Sequence, residues 1–208
     1  MKFLHNTNRV EGFSDAVFAF AATLMVVSLD LDQSFLLMKG KVASFLSFGV
    51  SFFVLVALWK VHYNFFRRTD YIDNWVIAYN AILLFVILYY VFPLKSLINS
   101  WMGTEPLTRD GLAYLFQLYG AGFLCIFLCF SLMYRRVKKN TPDLESRKIY
   151  RFYSQHHGIY VLVSGLSVIL ASLKVGIEIG APGFFYGLLG PLCYGHAKWY
   201  GKKYEVNW

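Results

Sequence analysis

Arg9-Val-Glu-Gly-Phe13-Ser14-Asp15 runs directly into Ala16-Val-Phe-Ala-Phe20-Ala-Ala-Thr23-Leu24-Met-Val-Val27. The stretch sets an arginine, a serine and an aspartate at the mouth of an apolar helix that meets no further charge until Asp30. An ionisable side chain at membrane depth is costly, so it is normally paired, faces neighbouring helices and marks a functional site. The segment therefore reads as the first of several membrane helices, with a polar site at its entrance.

Composition extends that reading to the whole chain. Its 208 residues are 57% hydrophobic and 19% aromatic but only 15% charged, with a mean hydropathy of +0.47. A soluble domain carries about 25% charged residues. A hydrocarbon core of ~30 Å needs ~20 mostly apolar residues per helix. The long apolar runs predict six such helices, at about 13–29, 42–61, 75–97, 112–134, 153–173 and 182–198. The last is interrupted by Gly180, Pro182, Gly183, Gly187, Gly190 and Pro191. Membrane helices tolerate such residues where neighbours satisfy the freed backbone groups. The expected fold is a single all-α membrane domain spanning residues 1–208.

The basic residues orient it. With the N-terminus cytoplasmic, only Lys39, Lys41, Lys95, Arg109 and Lys174 fall outside, and the other fifteen of the 20 lysines and arginines fall inside. Cytoplasmic loops carry such an excess, which places both termini in the cytoplasm of a cell whose inner membrane holds the chain. The net charge of +8 is then that of loops beside an anionic leaflet. It calls for membrane lipids as partners and for no nucleic acid.

Catalytic signatures are missing. The sequence has no phosphate-cradling glycine loop with its lysine and no G-x-S-x-G elbow. It also lacks the T-V-G-Y-G carbonyl filter and the spaced arginines of a voltage sensor. Cys125, Cys129 and Cys193 fall inside apolar spans and read as small packed hydrophobes. His62, His156, His157 and His196 lack metal-motif spacing, so neither a metal nor a cofactor is expected. A haem or metal enzyme built on them is the alternative that an absorption spectrum would reveal.

Helical periodicity gives the first segment two faces. At about 100° per residue, Phe20, Thr23, Leu24 and Val27 share one side with Phe13 and Ala16, while Asp15 points nearly opposite and Ser14 is also turned away. The apolar side reads as lipid or core contact. Ser14 and Asp15 read as a helix cap, or as part of a polar network completed by Arg9, whose ion pair would lower the cost of burying Asp15. Trp59 and His62, three residues apart, lie at the same level on the second span. Asn80 is a buried polar side chain available for bonding across helices.

The Arg9-x-x-x-Phe13-Ser14-Asp15 motif and the run to Leu24 resemble the signature of the transmembrane-protein-175 potassium channels, in their single-copy prokaryotic form. Trp59-x-x-His62-x-x-Phe65 and the Asn80…Phe92-Pro93 pattern extend the resemblance over roughly the first half of the chain. It implies a homotetramer whose four first helices line a central pore, with potassium as the permeant ion. It further implies that Phe20, Leu24 and Val27 form stacked apolar constrictions and that Thr23 supplies a hydroxyl ring governing selectivity. Arg9, Phe13, Ser14, Asp15, Trp59 and His62 would form the structural network. Phe20 stands where many members have isoleucine, so its ring narrows or reshapes that layer. A secondary transporter and a non-conducting assembly subunit are the competing functions.

Overall fold

The computed structural model describes residues 6–27, 38–101 and 107–204. Every regular element in them is helical: α1 (Thr7–Val27), α2 (Met38–Arg68), α3 (Asn74–Trp101), α4 (Arg109–Asn140), α5 (Leu144–Ser172), α6 (Ala181–Phe184) and α7 (Leu189–Tyr204), with short 3-10 turns at Ile177–Ile179 and Phe185–Leu188. The last two positions expected in the first span, 28 and 29, lie outside the described residues.

Helix limits follow local chemistry. Asp73 starts α3 by accepting the Val76 N–H at 3.0 Å, Thr108 starts α4 by accepting Gly111 N–H at 3.1 Å, and Asp143 starts α5 by accepting Ser146 N–H at 2.8 Å. Each satisfies an amide that the first helical turn leaves without a carbonyl. Thr7–Val27, Phe45–Arg68 and Arg109–Asn140 are long and apolar enough to cross a bilayer, and Asn74–Tyr90 is a shorter apolar helix. The region expected as a sixth span, 182–198, is divided among α6, the 3-10 turn and α7. α7 has 16 residues, so it rises only ~24 Å at ~1.5 Å per residue.

The chain is organised around an antiparallel α4–α5 pair, the most extensively packed in the molecule, with α3 against α4 and with α1 and α2 against α3. The interface is aromatic. Tyr134 stacks on Tyr153 at 5.2 Å and Phe127 on Tyr160 at 4.3 Å, Phe130 and Met133 are fully buried, and Phe65 of α2 meets Tyr134 edge-on at 4.9 Å. Such ring pairs add ~0.5–1.5 kcal/mol beyond area burial. Helices joined by aromatic rings also need places where backbones come close. Gly122 provides one, because a Cβ there would sit 2.6 Å from the Tyr90 ring.

At the other end of α3, the cap residue is also an anchor. Arg136 Nε donates to Asp73 Oδ2 at 2.7 Å and the Tyr71 hydroxyl donates to the same oxygen at 3.1 Å. Burial pushes the Asp73 carboxyl upward, but the Val76 amide, Arg136 and Tyr71 outweigh it and hold the group below its usual range. An acid stronger in the folded state than in the unfolded one stabilises the fold above its unfolded pKa and loses that contribution as pH falls through the folded value.

Two outcomes are expected. Gly122→Ala forces the Tyr90 ring aside and lowers stability by about 1–3 kcal/mol, read as a lower midpoint of thermal unfolding in detergent. Asp73→Ala costs about 1–2 kcal/mol at neutral pH through the lost cap, and the difference from the parent protein shrinks below about pH 4 as Asp73 protonates in the parent.

Candidate functional site: the first helix and its polar tie

α1 divides its residues between two faces. Ser14, Phe18, Ala21 and Met25 recur at three- and four-residue intervals, and all are buried against the rest of the chain. On the opposite side Phe13, Phe20 and Val27 are 65%, 56% and 73% exposed. Ala16 and Thr23 are exposed with them, and Leu24 is half-buried. The Thr23 hydroxyl donates to the Ala19 carbonyl at 3.0 Å, which leaves its oxygen lone pairs available to an acceptor's role.

A chain of hydrogen bonds fixes this rotation. The Ser14 hydroxyl donates to the Val10 carbonyl at 2.8 Å, Asn80 Nδ2 donates to Ser14 Oγ at 2.9 Å, and Asn80 Oδ1 lies 2.9 Å from His62 Nε2. All three side chains are buried. An amide oxygen only accepts, so His62 Nε2 carries the proton in this arrangement, and His62 Nδ1 has no hydrogen-bond partner among the described residues. Phe18 and Phe66 flank the imidazole at 5.4 and 4.8 Å. A single amide on α3 thus joins α1 to α2.

A second bond lies at the rim. Trp59 Nε1 donates to Asp15 Oδ1 at 2.8 Å. Both residues border a cleft of about 230 Å³ between α1 and α2, whose apolar walls include Phe18, Ala22, Phe52 and Leu55.

Arg9 does not complete this network. The expected Arg9–Asp15 ion pair is absent among the described residues, and the Trp59 indole serves the carboxylate instead. Six residues of α-helix turn by about 600° and rise ~9 Å, so the two side chains diverge by about 120°. Arg9 is exposed, and its backbone N–H donates to Asn6 Oδ1 at 3.3 Å. Phe13 is likewise outside the hydrogen-bonded tie. The tie's centre is Asn80, signalled in sequence as the lone amide of an apolar run.

The other histidines are elsewhere. His157 Nδ1 lies 2.6 Å from the Tyr153 carbonyl, and His156 and His196 approach each other through Nδ1 at 3.4 Å. Among the described residues no group of three or more His, Cys, Asp or Glu side chains is placed to hold a metal. Cys125, Cys129 and Cys193 are free.

The tie makes a measurable prediction. Asn80→Leu orphans the His62 N–H, and His62→Phe orphans the Asn80 carbonyl. The two together remove both orphans. A double-mutant cycle read by unfolding in detergent is expected to give a coupling of ~0.6 kcal/mol or more, up to ~1.7. Additive losses would mean that the bond contributes nothing. Arg9→Ala is expected to leave the unfolding midpoint unchanged.

The family model described as "Endosomal/lysosomal potassium channel TMEM175" matches residues 9–90, which contain both the outward stripe of α1 and the tie. A protein of Marivirga tractuosa named as a potassium channel is 38% identical over 159 residues, covering 68% of this chain and 64% of that protein. The chain thus spans just under two thirds of that relative's length. A potassium channel of Chamaesiphon minutus is 27% identical over 186 residues, covering 82% of this chain and 89% of that one. Among solved structures, a variant of the potassium channel MtTMEM175 in complex with a nanobody–MBP fusion aligns with a TM-score of 0.73 and 29% identity over 93% of each chain. A lysosomal potassium-selective channel TMEM175 homologue from Chamaesiphon minutus aligns with a TM-score of 0.58 and 25% identity over 88% of this chain and 97% of that one. The structural likeness therefore runs through α4 to α7, where the family model does not reach. The family model, the relatives and the solved structures thus agree: this chain is similar to the TMEM175 potassium channels, a family of ion channels and not of enzymes.

Proposed function

We propose that four copies of this chain form a potassium-selective channel of leak type, with their first helices lining a central pore. The observation that carries this reading is the stripe of Phe13, Ala16, Phe20, Thr23 and Val27, which α1 turns away from its own subunit. The relatives' names supply the ion. The polar tie supports the reading because it holds the rotation of α1 from behind, on the face that the ion never meets.

In this arrangement Phe20, Leu24 and Val27 form stacked apolar constrictions. An apolar ring is a high barrier to a hydrated ion and gates by dewetting. Thr23 lies between two of these layers. Its hydroxyl proton is committed to the Ala19 carbonyl, so four threonine oxygens would face a partly dehydrated cation as acceptors and replace lost water. Thr23 then sets the preference for potassium, and Leu24 with Val27 sets the gate. The chain lies in the cell's inner membrane, lipid-facing on its outer helices, with both termini cytoplasmic as the excess of inside lysine and arginine requires.

The test is electrical. Purified protein in a planar bilayer, with unequal potassium and sodium on the two sides, is expected to show discrete conductance and a reversal potential shifted toward potassium. Thr23→Ala is expected to lower the potassium-over-sodium preference by roughly tenfold, the equivalent of about 1.4 kcal/mol, and Leu24→Ala to raise the open probability. An unchanged preference in Thr23→Ala would remove threonine from the mechanism. Silent tetramers across a range of lipids would overturn the channel reading itself.

A further inference from the structure

The apolar stretch of α4 closes with Met133 and Tyr134, and cations follow at once: Arg135, Arg136, Lys138 and Lys139. The chain turns through Thr141 and Pro142 and re-enters α5, where Arg147 and Arg151 stand one helical turn apart. Because the two helices are antiparallel neighbours, these cations are brought to one end of one hairpin.

Their pairing is uneven. Arg136 is neutralised by Asp73 at 2.7 Å and Lys148 by Glu145 at 2.8 Å. The Asp143 carboxylate is committed to the Ser146 amide. No carboxylate among the described residues pairs with Arg135, Lys138, Arg147 or Arg151. These four are close enough to oppose one another: the half-buried Lys138 ammonium is held below its usual range first by burial, and then by Arg151, Arg135 and Arg147. Bringing like charges together lowers stability, and a bound anion would offset that repulsion.

The surroundings indicate where the anion comes from. An apolar helix long enough to cross the bilayer leads directly into the cluster, which sets it at headgroup level. Arg151 lies 5.5 Å from the Tyr204 ring and Lys203 lies 4.7 Å from the Trp199 ring, a mixture of aromatic and cationic residues suited to a membrane interface. Leu144, at the hairpin's tip, is 68% exposed. The hairpin is also firmly held. Arg68 stacks over the Tyr153 ring at 4.0 Å and donates to the Tyr134 hydroxyl, while the Tyr150 hydroxyl donates to the Arg68 carbonyl at 2.7 Å.

We propose that Arg135, Lys138, Arg147 and Arg151 form a binding site for the headgroup of an anionic phospholipid, gripping its phosphate across the α4–α5 hairpin. The site is separate from α1, and it stands or falls independently of ion conduction.

The experiment follows thermal unfolding of the full-length protein in detergent as a short-chain phosphatidylglycerol, the matching phosphatidylcholine or inorganic phosphate is added. The anionic lipid is expected to raise the midpoint in a salt-sensitive way, and the zwitterionic lipid and phosphate to do so much less. Each of Lys138→Gln and Arg147→Gln is expected to weaken the apparent affinity by roughly fivefold, the share of one cation near an anionic surface. Arg109→Gln, at the opposite end of α4, is expected to leave it unchanged. Equal responses to the two lipids, or a response to phosphate matching that to phosphatidylglycerol, would overturn the proposal. So would a folded Arg135/Lys138/Arg147/Arg151 quadruple glutamine variant that keeps the full response. The single variants decide the matter if the quadruple one does not fold.

Discussion

One amide side chain carries much of this architecture. Asn80 stands alone in an apolar run of α3 and bonds to Ser14 on α1 and His62 on α2. In hydrocarbon a polar group without a partner is penalised by several kcal/mol, so these three residues select one rotation and one depth for each helix. A turn of α1 by one residue in either sense would break the Ser14 bond, and in one sense it would bury Asp15, whose carboxylate now reaches the Trp59 indole at the rim. The tie is therefore what determines which side chains α1 keeps and which it offers to the outside.

α3 links this tie to the scaffold. It begins at the Asp73–Arg136 anchor on α4, passes the amide, and meets Gly122 of α4 with the Tyr90 ring. Polar fixation near one end and close ring-to-backbone packing further along hold α3 against α4. α4 and α5 then supply a dense aromatic body to which α1 and α2 are attached through α3. The division of labour is clear: packing makes the body, and directional bonds set the angle of the helix that leaves it.

Much of this was legible in the sequence, and the reasons for the exceptions are physical. The helical membrane class follows from run length, because no periodic polar stripe breaks the spans. The two faces of α1 follow from the 100° step, which places Ser14 and Phe20 apart without any tertiary knowledge. Periodicity gives depth and direction but not partners. Trp59 and His62 were readable as neighbours at the level of Asp15, yet they bond to different helices. Arg9 looked like the counterion of Asp15 because the two are near in sequence, and helical rotation separates them. The glycines and prolines after Gly180 announced an interruption, but the α6 turn is held by distant partners, with Ser167 donating to the Pro182 carbonyl at 2.8 Å and the Phe116 ring beside Gly183, which local pattern does not encode.

The short link at Thr141–Asp143 has a consequence for how the molecule is made. It joins the two helices with the largest mutual interface, so their contacts close small loops and require little chain entropy to form. Capped at its turn by the Asp143 carboxylate and lined by rings along its seam, the hairpin is the unit best suited to enter the bilayer as one piece. The earlier-synthesised α1 is in the opposite position. Its defining bond waits for a residue sixty-six places later in the chain, so α1, made before α3, acquires its final orientation only after α3 has arrived.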